Sequence, residues 1–225
     1  MLSALGLPIP PAGLASDGKW LAEPPASSRG WFVKPNRLGA KIGIWPDSHC
    51  QSWDKALEIS RRVHDAYRDA VVVQPYVPGR NVRASFLAVR PDAGPAALGV
   101  FFVDSGADFQ TMEDSMALYG DTGAEAISAG RYAKPKLVAV EDSQPEAAKT
   151  IRAIAARLMR TLGLRDVFSM DFRVEADNTV HLIEFEVCPG LPCFDFRAYC
   201  RSQWGLSLAE AMSATAASRF ANRPA

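Results

Sequence analysis

From Trp31 onward, apolar residues alternate with polar ones or recur at helical spacing, and this pattern divides the chain into short strands and a few amphipathic helices. Trp31-Phe32-Val33-Lys34 and Lys41-Ile42-Gly43-Ile44-Trp45 predict two strands joined through the Gly39 loop. Leu57, Val63 and Tyr67 give residues 53–69 a helical face. Val71-Val72-Val73-Gln74 and residues 82–89 predict a second strand pair about the turn residues Pro78-Gly79, with Gly99 to Val103 as a third strand beside them. Ser143 and Glu146 have capping-box spacing, Pro145 suits a first helical turn, and Ala148, Ile151, Ala155, Leu158 and Leu162 line one face before Gly163. Ser207 and Glu210 repeat that spacing at a last helix. The proline-rich opening, with Pro8, Pro10, Pro11, Pro24 and Pro25, is expected to be largely irregular, and residues 104–132 show no period and read as long loops. Strands and helices mix without strict alternation, which predicts an α+β fold rather than a doubly wound parallel sheet.

Residues 168–190 carry the most chemistry. Phe168 to Val174 and Val180 to Val187 predict a hairpin, and a two-residue turn at Asp177-Asn178 would pair Ala176 with Thr179. Counting back, Asp171 lies opposite Glu184, and period two puts Glu186 on the same face. Directly opposed like charges destabilise a sheet, since their β-carbons are only about 5 Å apart. One resolution is a hard divalent cation, which favours carboxylate oxygens and completes its shell with water and phosphates. The other is a solvated acidic face balanced by Arg173, or a register slip that separates the pairs. The segment 34–43 adds Lys34, Arg37 and Lys41 with Gly39 and Gly43 between strands, a composition that suits phosphate oxygens or an ordinary glycine hairpin.

Composition narrows the classes. The 225 residues are 48% hydrophobic with 25 basic and 25 acidic side chains, enough for a real core and without the basic excess that nucleic acid or an anionic membrane attracts. No apolar run is long enough to span a bilayer, and the start lacks a secretory signal pattern, so a cytoplasmic protein is expected. Cys50, Cys188, Cys193 and Cys200 have no zinc-site spacing and read as reduced thiols.

Taken together, several segments resemble the ATP-grasp ligases, and within them the D-alanine:D-alanine ligase group. They are Gly6-Leu7-Pro8-Ile9-Pro10, Val33-Lys34-Pro35, the Gly39 to Ile44 loop, Val73 to Arg83, and the run from Met170-Asp171-Phe172 to Glu184-Phe185-Glu186-Val187-Cys188-Pro189-Gly190. Their order and approximate spacing match over nearly the whole chain. The resemblance implies an ATP-grasp fold of two α+β lobes with mostly antiparallel sheets gripping the nucleotide, a smaller lobe over about 1–78 with the lid loop and a larger one over about 79–225 with the metal-binding hairpin. It implies ATP and magnesium or manganese as cofactors. Lys34, Gly39, Ala40, Lys41, Gln74, Val77, Asn81 and Phe185 fall at nucleotide positions, Asp171, Glu184 and Glu186 at metal positions, and Lys34, Ser169 and Gly190 at catalytic ones. Asp195 and Phe196 fall near the substrate. The implied chemistry activates a carboxylate as an acyl phosphate, which an amine then attacks.

Departures bear on that expectation. Gln74 and Asn81 replace glutamates that face the adenosine, Ser169 replaces an arginine near the acyl phosphate, Glu186 replaces an asparagine, and Ala40-Lys41 replaces two serines of the lid. These leave open a non-catalytic nucleotide-binding module, and a plain structural domain with a decorative acidic hairpin is the third reading. The sequence opens just before the Gly6-Leu7-Pro8 segment, so the family's amino-terminal domain is expected to be missing from this polypeptide. A homo-oligomer, a partner chain or a longer native start is therefore expected to complete the site for small amino-acid or related carboxylate and amine substrates, with weak ligation by this polypeptide alone.

Overall fold

A computed structural model describes residues 2–104, 108–114, 136–189 and 194–221. They fall into two compact units. The smaller holds Pro10–Pro78 and residues 108–114; the larger holds the residues up to Ile9, Gly79–Asp104 and those described from Lys136 onward.

In the smaller unit, β1 (Gly13–Ser16), β2 (Lys19–Ala22), β3 (Trp31–Pro35), β4 (His49–Cys50) and β5 (Val71–Pro75) form an antiparallel sheet in the order β2-β1-β5-β3-β4. The β1-β2 hairpin lies in the stretch expected to be irregular. Its turn is Asp17-Gly18, with φ of 49° and 69°, the left-handed pair a tight hairpin needs. Residues 41–45, expected as a strand, are not one. Ala40, Lys41 and Gly43 have φ of 53°, 62° and 75°, which an extended chain excludes, so β3 pairs with β5 and β4 instead. α1 (Trp53–Tyr67) starts where the Ser52 hydroxyl accepts the Lys55 N–H at 3.2 Å and stops at left-handed Arg68. Its Ala56, Ile59 and Val63 bury against Trp31, Val33, Val71 and Val73. Strand alternation therefore leaves Phe32, Lys34, Val72 and Gln74 on the face away from α1.

In the larger unit, β6 (Arg80–Leu87), β7 (Gly99–Asp104), β8 (Lys136–Ala139), β9 (Val167–Val174) and β10 (Val180–Glu186) form a second antiparallel sheet, ordered β10-β9-β6-β7-β8. β5 and β6, expected to pair, thus belong to different sheets. Gly79 immediately precedes β6, beside the end of β9: its φ is 114° and a Cβ there would lie 2.3 Å from the Val174 carbonyl oxygen, an approach that only glycine permits. α2 (Pro145–Leu162) lays Ala148, Ile151, Ala155 and Leu158 on Val82, Phe86, Met170 and Phe172. Its helical face is the expected one, but the capping box is not formed. Gln144 occupies the cap position with no side-chain bond to the helix, its Nε2 donating instead to the Glu175 carbonyl at 2.7 Å, and Ser143 closes a 3-10 turn over Val140–Asp142.

The opposite face of this sheet is covered at one end by α3 (Phe194–Tyr199), a π-helical turn (Cys200–Trp204) and α4 (Leu208–Ala221). Here the expected capping box is present, with the Ser207 N–H on Glu210 Oε2 at 2.8 Å and the Glu210 N–H on Ser207 Oγ at 3.3 Å. Leu87, Phe196, Tyr199, Cys200 and Ala211 make this satellite core. Phe196, expected near the substrate, is 1% exposed and packs there, because helical spacing turns it inward with Tyr199 and Cys200.

Tyr199 is the keystone of that core. Its hydroxyl donates to the Ala97 carbonyl at 2.7 Å and accepts from the Leu87 N–H and the Trp204 indole N–H, both at 3.2 Å. Burial pushes the phenol up from 10.0 to about 12. The folded state thus favours the neutral phenol, a contribution fully present below pH 10.0 and lost as pH rises through about 12. We expect the stability advantage of the parent over Tyr199→Phe to shrink by about 2 kcal/mol across that window in denaturant titrations. A constant difference would refute the burial account.

Candidate functional site

In the larger unit the hairpin β9-β10 does not keep the expected register throughout. Val180, His181 and Leu182 face Val174, Arg173 and Phe172, then the register shifts and Glu184, Phe185 and Glu186 face Asp171, Met170 and Ser169. The turn holds three residues rather than two: the Glu175 N–H bonds the Thr179 carbonyl at 2.9 Å, and Asn178 is left-handed at φ 71°. Ala176 and Thr179 are therefore not a pair. A β-bulge at Ile183 absorbs the one-residue difference, so Asp171 opposes Glu184 as expected, for a different reason.

The bulge decides which way the carboxylates point. Val180 and Leu182 are buried in the core, and strict alternation would carry Glu184 to that same side. The extra residue returns Phe185 to the core, where it is half-buried, and puts Glu184 and Glu186 on the face of Ser169 and Asp171. Strand pairing then builds three rungs across β6, β9 and β10: Asn81-Arg173-His181, Arg83-Asp171-Glu184, and Ser85-Ser169-Glu186.

Arg83, which sequence reasoning passed over, organises these rungs. Its Nε lies 3.2 Å from Asp171 Oδ1, its Nη1 lies 3.4 Å from Glu186 Oε2, and the same Nη1 donates to Ser169 Oγ at 2.9 Å. Ser169 Oγ donates in turn to Glu186 Oε2 at 3.2 Å. Arg173, in the neighbouring rung, is 7% exposed and its Nη1 donates to Asn81 Oδ1 at 2.9 Å. His181 pairs with Glu175 Oε1 at 2.9 Å. The alternation Asn81-Val82-Arg83-Ala84-Ser85 was the available signal, since it places one cation on the strand next to Asp171.

As donors, Asp171, Glu184 and Glu186 are hard oxygen ligands of the kind magnesium or manganese prefers. Among the described residues, however, no three acidic, histidine or cysteine side chains converge closely enough to hold an ion. The Arg83 guanidinium stands between Asp171 and Glu186 instead. The donor set suits the metal in kind, with one oxygen each of Asp171 and Glu186 held by that guanidinium.

In the smaller unit, Lys34 and Gln74 lie on the sheet face away from α1, Lys34 opposite Val72 and Gln74 opposite Phe32. Gln74 Nε2 donates to the Pro10 carbonyl at 3.3 Å, and the Phe109 ring meets Phe32 edge-on at 5.1 Å. The Gly39 loop is anchored at its start by Asp69, whose carboxylate accepts the Arg37 N–H at 2.8 Å and the Ala70 N–H at 2.9 Å. Apart from its chain neighbours, nothing among the described residues lies within 4 Å of the position a Gly39 Cβ would take. Ala40 and Lys41 follow in left-handed conformation, and the Lys41 ammonium bonds Gln110 Oε1. Val77 is half-buried past the end of β5. Gly190 and the Asp195 side chain lie outside the described residues. Among those described, no helix is long and apolar enough to cross a membrane.

A family model described as "D-ala D-ala ligase C-terminus" matches residues 2–214. A D-alanine–D-alanine ligase of Tolumonas auensis is 26% identical over 197 residues, covering 84% of this chain and 54% of that ligase. The chain therefore spans about half the length of this curated relative. Among solved structures, D-alanyl-alanine synthetase A of Vibrio cholerae superposes with a TM-score of 0.68 at 14% identity, covering 98% of this chain and 62% of that one. The D-alanine–D-alanine ligase of Bacillus anthracis complexed with ATP gives 0.63 at 14%, covering 98% and 64%. These likenesses establish the ATP-grasp α+β architecture expected from the sequence. With its matched segment running over nearly all of its length, the chain belongs to the D-alanine–D-alanine ligase C-terminal family.

Proposed function

We propose that this chain is the nucleotide- and metal-binding part of an ATP-dependent carboxylate–amine ligase that works through an acyl phosphate. The observation that carries the reading is the bulged hairpin, which turns Asp171, Glu184 and Glu186 to one face of a sheet in a chain of this family. Asp171, Glu184 and Glu186 would hold magnesium or manganese, which neutralises charge on the transferred phosphoryl group. Lys34 supplies an ammonium to phosphate oxygens, and the open Gly39 loop with Ala40 and Lys41 offers backbone N–H groups to the same anion. Gln74 and Asn81 contact the adenosine by hydrogen bonds, with Val77 and Phe185 as apolar neighbours. Gly190 belongs to the reacting end, and Asp195 receives the ammonium of an amino-acid substrate.

A second reading, a nucleotide-binding module without turnover of its own, has a specific observation behind it. The amides of Gln74 and Asn81 are already bonded to the Pro10 carbonyl and to Arg173, so nucleotide contacts must compete with those bonds. Two measurements decide. Stabilisation of the chain against heat by Mg-ATP, absent with either component alone, supports both nucleotide readings by mass action. Amino-acid-dependent ADP release then supports the ligase, and its absence supports the module. No stabilisation at all would leave a structural domain.

Lys34 provides a sharper check. Lys34→Ala is expected to weaken ATP binding by about tenfold or more, the worth of a charged hydrogen bond, with unfolding stability unchanged to within about 0.5 kcal/mol. Equal ATP affinity in mutant and parent, measured by titration calorimetry, would remove Lys34 from the site.

A further inference from the structure

The cation that matters most on the carboxylate face is already there. Arg83 holds Asp171 through Nε at 3.2 Å and Glu186 through Nη1 at 3.4 Å, and the Ser169 hydroxyl steadies that nitrogen at 2.9 Å. Strand pairing fixes this placement, because Arg83 is the β6 residue directly opposite Asp171. A guanidinium keeps its charge at every accessible pH. Arg83 holds Asp171 Oδ1 and Glu186 Oε2, so a divalent ion must compete with the guanidinium for these carboxylates, and the two cations repel each other across them. A polyphosphate changes that balance, since a guanidinium fork matches phosphate oxygens as well as carboxylates.

We infer that Arg83 makes this face selective for a metal–polyphosphate complex over the bare metal. Without polyphosphate, Arg83 stays on Asp171 and Glu186 and opposes a divalent ion. With it, Arg83 transfers to a phosphate oxygen and frees both carboxylates for the ion. Metal and nucleotide then bind with positive coupling, and the coupling runs through one side chain. The inference rests on the nucleotide-binding reading above and adds the residue that enforces it.

The test measures Mn2+ binding by electron paramagnetic resonance, with and without a non-hydrolysable ATP analogue, in the parent, Arg83→Gln and Arg83→Lys. In the parent, Mn2+ alone binds weakly and the analogue tightens it. In Arg83→Gln, Mn2+ alone binds about fivefold more tightly, while the tightening by the analogue falls about tenfold, within the span usual for coupled sites. Arg83→Lys keeps the charge but loses the fork, so Mn2+ alone stays weak and the analogue's effect drops several-fold; this variant carries the test if Arg83→Gln does not fold. A merely structural role for Arg83 would weaken both measurements together. If the parent binds Mn2+ with the analogue and the variants show no loss of coupling, or bare Mn2+ binding weakens in Arg83→Gln, the inference is overturned and the proposed function stands. If the parent binds neither, both fall.

Discussion

Gly99→Val is expected to destabilise the larger unit by at least about 3 kcal/mol, lowering its melting temperature by about 6–12 °C. A Cβ at Gly99 would lie 2.4 Å from Cδ2 of Tyr199 and 2.7 Å from Cε2 of Phe101. The Tyr199 ring has no easy way out. Tyr199 is fully buried, with its hydroxyl bonded to Ala97, Leu87 and Trp204, so displacing it breaks those bonds as well as the packing. Gly99 itself sits on β7 opposite Ser85 of β6, so the strand cannot shift without disturbing the rungs that carry Ser169 and Asp171. The control is Gly39→Ala, where no atom of the described residues beyond its chain neighbours lies within 4 Å and the change in stability should stay within about 0.5 kcal/mol. Differential scanning calorimetry reads both. Equal melting of Gly99→Val and parent would mean that α3 is not seated on β7 through Tyr199.

That contact could not be read from the sequence, because nothing local links Gly99 to Tyr199. What could be read was either periodic or chemically concentrated. The apolar face of α2 is visible in Ala148, Ile151, Ala155 and Leu158, and it packs as its spacing requires. The carboxylate face was visible through Asp171, Glu184 and Glu186, although the route to it was mistaken. A two-residue turn and an unbroken ladder give the same Asp171–Glu184 pairing as a three-residue turn followed by a bulge. Periodicity alone does not separate these, since one inserted residue in the strand cancels one in the turn.

Other failures share a cause: strand partners are chosen by tertiary packing rather than by nearness in sequence. Val71 to Gln74 reads as a partner of the strand that follows it, yet β5 inserts between β1 and β3 because its Val71 and Val73 belong under α1. Ile42 and Ile44 look strand-like, but left-handed Ala40, Lys41 and Gly43 turn that segment into a loop. Arg83 went unread for a related reason. Its importance comes from lying across from Asp171 on a strand nearly ninety residues away in the chain, which only the sheet order reveals.

The largest functional effect is expected at Glu184. This residue stands beside the bulge, exposed, directly opposite Asp171 and next but one to Glu186. Two opposed carboxylates repel, so Glu184→Gln should leave the unfolding stability unchanged or raise it by up to about 1 kcal/mol. The same substitution removes a charged oxygen donor that the proposed metal site needs. Loss of outer supports around a bound metal commonly costs about 10–100-fold in affinity, and loss of a ligand should reach the upper end of that range. Glu184→Gln is therefore expected to weaken Mg-dependent ATP binding by about 100-fold, while ATP binding measured in chelator changes little. The combination is diagnostic because the two effects have opposite signs. A misfolded hairpin would lose stability and binding together, and a decorative acidic face would gain stability without losing binding. Calorimetric titration of ATP with magnesium and with chelator, beside a denaturant unfolding curve, reads all three quantities on the same preparation. Unaltered Mg-ATP affinity in a fully folded Glu184→Gln would show that the bulge presents Glu184 to solvent alone, and would move the metal-binding role away from this hairpin.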